Sequence, residues 1–168
     1  MRPGDVGKED AVDEAADRPV PELPVTWRPR NMRVVAYGLA ALSLVTMAVL
    51  AVIMPPEWGL QDRVLLFLFG VLCVGVLHLL ARPRVAATEE GVTVVNCIRT
   101  HVLVWPEIID VRMPVGEPWP TIDLADGSTL AAMGIQSNDG ALAERNLARF
   151  QVLLHERGEA EEPGRRGF

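Results

Sequence analysis

The stretch VVAYGLAALSLVTMAVLAVIM, residues 34–54, decides the fold, because its 21 residues include no Asp, Glu, Lys or Arg. A helix rises about 1.5 Å per residue, so some 20 apolar residues cross a hydrocarbon core about 30 Å thick. A second block, VLLFLFGVLCVGVLHLLA at residues 64–81, has 18 residues and none of those charges, and its flanks can help it across. Between the two lies PPEWGLQDR, residues 55–63. Pro55 and Pro56 stop the first helix there, and Trp58 suits a lipid–water interface. So short a connection predicts a transmembrane helical hairpin over residues 34–81.

Composition points the same way. The chain has 168 residues, 49% of them hydrophobic but only 5% aromatic, with a mean hydropathy of +0.20. That is more aliphatic material than one small soluble core absorbs, and two buried helices would have no shell around them. A net charge of −6 argues against nucleic acid as a partner, and Cys73 and Cys97 alone make no disulfide framework. Arg28, Arg30 and Arg33 precede the first block and Arg82 and Arg84 follow the second, whereas the connection holds only Arg63 beside Glu57 and Asp62. This asymmetry predicts a multi-pass plasma-membrane protein with both termini cytoplasmic. A cleaved signal peptide fits poorly, since the preceding segment is long and acidic.

Within the spans, Ala36, Ala40 and Ser43 form a small-residue face, and Gly70 with Cys73 offers a close approach on the second helix. His78 lies within a turn of Arg82, which reads as an interfacial histidine rather than a proton relay. Cys73 reads as a small apolar filler.

Residues 1–24 carry seven acids and four prolines, a composition that cannot offset its ordering entropy. A disordered leader is therefore expected over residues 1–33, and a disordered tail over residues 159–168. Between them, residues 82–158 hold the soluble part. PRVAAT, VTVVNCI, VLVW and EIIDVRMPV are strand candidates, the last with Ile109, Val111 and Met113 on one side, and Arg99, Thr100 and His101 form a reversal. Asp126-Gly127 between apolar runs marks a hairpin. Ser137, Asn138 and Asp139 offer N-cap oxygens to a helix whose apolar stripe is Ala143, Leu147, Phe150 and Leu154, closed by Gly158. Six or seven short antiparallel strands followed by one helix are expected, an α+β domain.

Two spans, then VLVWPEIIDVRM, a DG hairpin and a terminal helix, resemble the bacterial PH-domain membrane proteins of the low-molecular-weight protein antigen 6 type. The likeness covers about residues 30–157 and is carried by Trp105, Glu107, Ile108 and Val111. It implies a PH-like split barrel capped by the helix. In lipid-binding relatives the turn joining the first two strands supplies basic side chains; reading that turn as Glu89-Glu90-Gly91 argues against specific phosphoinositide binding.

The residues show no catalytic constellation. Cys97 and His101 are four apart with no second ligand pair, so neither a metal nor a cofactor is expected. His155 suits the dipole at a helix end, Asp123 and Asp126 are turn formers, and no phosphate loop or nucleophile elbow is present. The expectation is a non-enzymatic module that binds a protein partner or itself at the cytoplasmic face, with Trp105 and Trp119 as candidate surface anchors. The alternative is a lipid or envelope sensor that touches anionic headgroups through Arg82 and Arg84.

Overall fold

The computed structural model describes residues 21–159. Seven strands and three helices run in the order β1 (Val25–Trp27), α1 (Arg30–Ile53), α2 (Leu60–Ala81), β2 (Arg84–Ala87), β3 (Gly91–Val95), β4 (Thr100–Val104), β5 (Ile108–Arg112), β6 (Thr121–Leu124), β7 (Thr129–Ala131) and α3 (Ala141–Glu159). Strands β1 to β4 form one antiparallel sheet in sequence order, β5 to β7 a second, and α3 packs on them. The result is the PH-like arrangement of two sheets and a C-terminal helix.

Both apolar blocks are helices long and apolar enough to cross a membrane. They start earlier than expected, at Arg30 and Leu60 rather than at residues 34 and 64, because a carboxylate accepts amides at the start of each helix and so supports an added polar first turn. At the start of α2 the Asp62 carboxylate accepts the Gly59 amide at 2.9 Å. At the far end of α1 the Arg63 guanidinium donates to the carbonyls of Ala51, Val52, Met54 and Pro55. It thereby covers the acceptors that a helix C-terminus leaves open. Ala36, Ala40 and Gly70 are buried, and a Cβ at Gly70 would lie 3.0 Å from that of Met47. The small-residue faces are thus occupied by the hairpin's own packing.

Strand β1 corrects the expected boundaries of the leader. Residues 25–33 are strand, junction and helix start, while residues 1–20 of that leader and residues 160–168 of the tail lie outside the described residues. Val25, Thr26 and Trp27 pair with Ala87, Ala86 and Val85 across the whole helical hairpin. Three residues are too few to show a period, and the partner is distant in sequence. Six strands therefore come from residues 82–158, and the seventh comes from before the hairpin. The hairpin is an insertion between the first two strands.

Trp27 is 3% exposed and sits in the core with Val85, Val94, Ile122 and Leu153. Its ring lies 5.3 Å from that of Phe150 on α3. Its indole N–H is buried with no acceptor among the described residues, a cost of about 1–3 kcal/mol. The ring's burial, worth about 3–5 kcal/mol against alanine, outweighs it. Three smaller corrections concern local chemistry. The reversal after β3 closes at Asn96, whose amide donates to the Arg99 carbonyl, so Thr100 and His101 belong to β4. A register shift between Ile108 and Asp110 turns Ile108 and Val111 inward and leaves Ile109 66% exposed. Helix α3 continues through Gly158 to Glu159.

Trp27→Ala should lower the stability of the full chain by about 3–5 kcal/mol, read from thermal unfolding in detergent. A fragment of residues 82–158 should melt well below one in which residues 21–28 are joined to residue 83 by a short turn. Equal melting of the two fragments would show that β1 adds nothing.

Candidate functional site

The junctions between the sheet and the hairpin share one sequence. Arg28-Pro29-Arg30 leads from β1 into α1, and Arg82-Pro83-Arg84 leads from α2 into β2. In both, the proline is fully buried while the arginines on either side are exposed. Proline fixes φ and cannot donate, which suits the last residue before a helix and the step from a helix into a strand. The burial anchors each junction, and the charges are turned outward.

Helix α1 receives its cap from a residue more than 100 positions away in sequence. The Asp139 carboxylate accepts the amides of Arg30 and Asn31, each at 2.8 Å, and the Asn31 side chain donates to the Asn138 carbonyl at 2.8 Å. An anion at a helix N-terminus satisfies open donors and complements the dipole. Asp139 was expected to cap α3, two residues on; the structure turns it toward α1, because Ser137–Asp139 form a short 3-10 turn and Gly140 at φ +56° redirects the chain.

Beside this cap lies a cavity of about 420 Å³ lined by Arg28, Pro29, Arg30, Arg33, Val34 and Tyr37. Residues 30, 33, 34 and 37 share one helix face by the i, i+3, i+4, i+7 rule. The Tyr37 hydroxyl lies 3.3 Å from Nδ1 of His78, a hydrogen bond joining α1 to α2. Among the described residues, Arg28, Arg30, Arg33, Arg82 and Arg84 take part in no ion pair.

The structure separates the residues expected to act. Trp105 is buried and donates its indole N–H to the Thr88 carbonyl at 3.1 Å, so it is a core residue and no surface anchor. Trp119 is half-buried in the loop between β5 and β6. Arg82 and Arg84 are exposed at the root of the hairpin. Cys97 and His101 are half-buried, and the described residues hold no group of three His, Cys, Asp or Glu that could bind a metal. The Glu89-Glu90-Gly91 turn joins β2 to β3, not the first two strands. The Thr88 hydroxyl holds the Glu90 carboxyl below its usual range, and Glu89 pairs with Arg157.

Sequence reasoning missed the outer face of β4. On β4, Val102 and Val104 are 76% and 49% exposed; Ile98 in the preceding turn and Ile109 on β5 are exposed as well. Among the described strands β4 pairs only with β3; its other edge carries no strand, and at its end the outward Val104 amide donates to the Glu107 carboxylate at 2.9 Å. The signal was present in the alternation of Val102 and Val104 against Leu103, of which only Leu103 is buried.

Seven strands in two sheets, a C-terminal helix and a hairpin between the first two strands define a PH-like domain built around two long apolar helices. Residues 82–152 match the family model described as Bacterial PH domain. An uncharacterized protein of Mycobacterium bovis and two of Mycobacterium tuberculosis are each 36% identical to it over 93 residues, covering 55% of this chain. The match spans 60% of the length of each of these relatives. No solved structure matches the chain.

Asp139→Ala should lower the melting temperature by an amount equivalent to about 1 kcal/mol, the usual worth of a cap. Asp139→Asn, which keeps an acceptor, should lose less. An unchanged melting temperature in Asp139→Ala would show that the cap contributes nothing.

Proposed function

We propose that the protein is a membrane-anchored, non-enzymatic PH-domain module that docks a protein partner or a second copy of itself at the cytoplasmic face of the cell membrane. The observation that carries this reading is the insertion of the apolar hairpin between β1 and β2. A hairpin held at both ends by paired strands fixes the domain against the bilayer instead of trailing it on a linker. The outward apolar side chains of α1 and α2, among them Val34, Val52, Leu65 and Leu72, suit lipid. Five arginines at the root of the hairpin, against Arg63 alone at its tip, favour cytoplasmic termini. Arg63 is moreover engaged by the end of α1.

The docking surface in this reading is the open edge of β4 with Val102 and Val104, replacing Trp105. An unpaired strand edge with an apolar row accepts an added strand or an aromatic anchor. A second reading, a sensor whose domain contacts anionic headgroups, is favoured by the exposure of Arg82 and Arg84 beside the arginines of the other junction.

A photocrosslinking residue at position 102 should give a discrete adduct in intact membranes, and one at Asp126 on the β6–β7 turn should not. Val104→Glu should abolish the adduct while leaving the melting temperature within a few degrees. Adducts of equal yield at both positions, or none at position 102, would remove the β4 edge as the docking surface.

A further inference from the structure

The cavity at the start of α1 lies where the charged and apolar parts of that helix meet. Arg28, Arg30 and Arg33 line one part of it; Val34, Tyr37 and the buried Pro29 line the rest. Below Tyr37 the helix is uncharged to its end. The only described carboxylate bonded at this helix start, that of Asp139, is occupied by the Arg30 and Asn31 amides. Among the described residues, three arginines against one carboxylate make this largely apolar lining net positive. Guanidinium groups present forked donors that match phosphate oxygens.

We propose that this cavity binds the headgroup phosphate of an anionic phospholipid, whose acyl chains run along Val34 and the Tyr37 ring. The proposal rests on the membrane-anchored reading. The geometry is suited to a lipid rather than to a free anion, because the apolar part of the lining continues directly onto a lipid-facing helix surface. A soluble phosphate would leave Val34, which is 67% exposed, uncovered. The Tyr37–His78 bond at the floor ties α2 to the same level, so an occupied cavity would brace both helices. The adjoining cap places Asp139, and through it the chain leading into α3, in contact with the helix that the lipid holds.

The experiment uses the full chain purified in a neutral detergent and titrated with phosphatidylglycerol or with phosphatidylcholine of the same acyl chains. Bound lipid is counted by native mass spectrometry. The wild type should retain one phosphatidylglycerol in preference to phosphatidylcholine. Arg30→Gln/Arg33→Gln should weaken that binding roughly 25-fold, at about fivefold for each arginine near a lipid surface. Arg145→Gln/Arg149→Gln removes the same charge from exposed positions of α3 and should leave the binding unchanged. Phosphatidylglycerol should also raise the melting temperature of the wild type and not of the Arg30/Arg33 variant. Equal retention of the two lipids, equal losses in the two double variants, or displacement of the lipid by millimolar glycerol phosphate would overturn the proposal. Alkaline carbonate extraction of native membranes tests the anchor separately. A chain released by carbonate overturns the anchored reading and this site with it, whereas a chain that stays in the membrane without lipid preference overturns the site alone.

Discussion

The pairing of β1 with β2 is the constraint on which the rest of the structure depends. Partners in an antiparallel pair lie about 5 Å apart, and packed helices lie about 8–10 Å apart. A helical hairpin can therefore replace the turn between two strands only if each junction takes up a few ångströms and a change of direction. The two Arg-Pro-Arg segments do this, each burying its proline. Because the strands close the loop, the hairpin's length and sequence are free to vary, provided that its ends return to the same place.

That closure alters what the apolar core accomplishes. Trp27 lies before the hairpin and Phe150 near the chain's end, and their contact completes the interior. A domain of this size has a net stability on the order of 5–10 kcal/mol, so the one aromatic side chain delivered by β1 is a large share of it. Strand β1 is consequently part of the domain's core although the hairpin separates it from the other strands in sequence. The Asp139 cap adds a second tie between them that bypasses the strands.

How much of this was legible in the sequence follows the range of the interactions. Both helices, the strands from β2 onward, the Asp126-Gly127 hairpin and the stripe of α3 come from local periodicity and turn chemistry, and all are present. Strand β1 was invisible because VTW has no period of its own and its hydrogen bonds go to residues beyond the hairpin. That omission also misplaced the first inter-strand connection, and with it the electrostatic argument made from Glu89 and Glu90. Asp139 was recognised as a cap but given to the wrong helix, since residue type identifies an acceptor and only tertiary structure chooses its donor. Trp105 was offered as a surface anchor, but its N–H needed the Thr88 carbonyl, and a large aromatic with an internal acceptor belongs inside.

The arginines illustrate how one residue type can carry two arguments. Counted along the chain, five of them flank the hairpin's root and one its tip, the asymmetry from which an orientation is argued. Placed in space, they divide by what they face. Arg63 is directed at the end of α1, where a helix presents partial negative charge and open carbonyls; its charge is matched within the protein. Among the described residues, the arginines at the other end of the hairpin have no such partner. The N-terminus of α1 is itself partially positive, and its first amides already hold the Asp139 carboxylate, so the helix offers Arg28, Arg30 and Arg33 nothing to neutralise them. Among the described residues the same residue type is therefore matched within the protein at the tip of the hairpin and left without a carboxylate partner at its root.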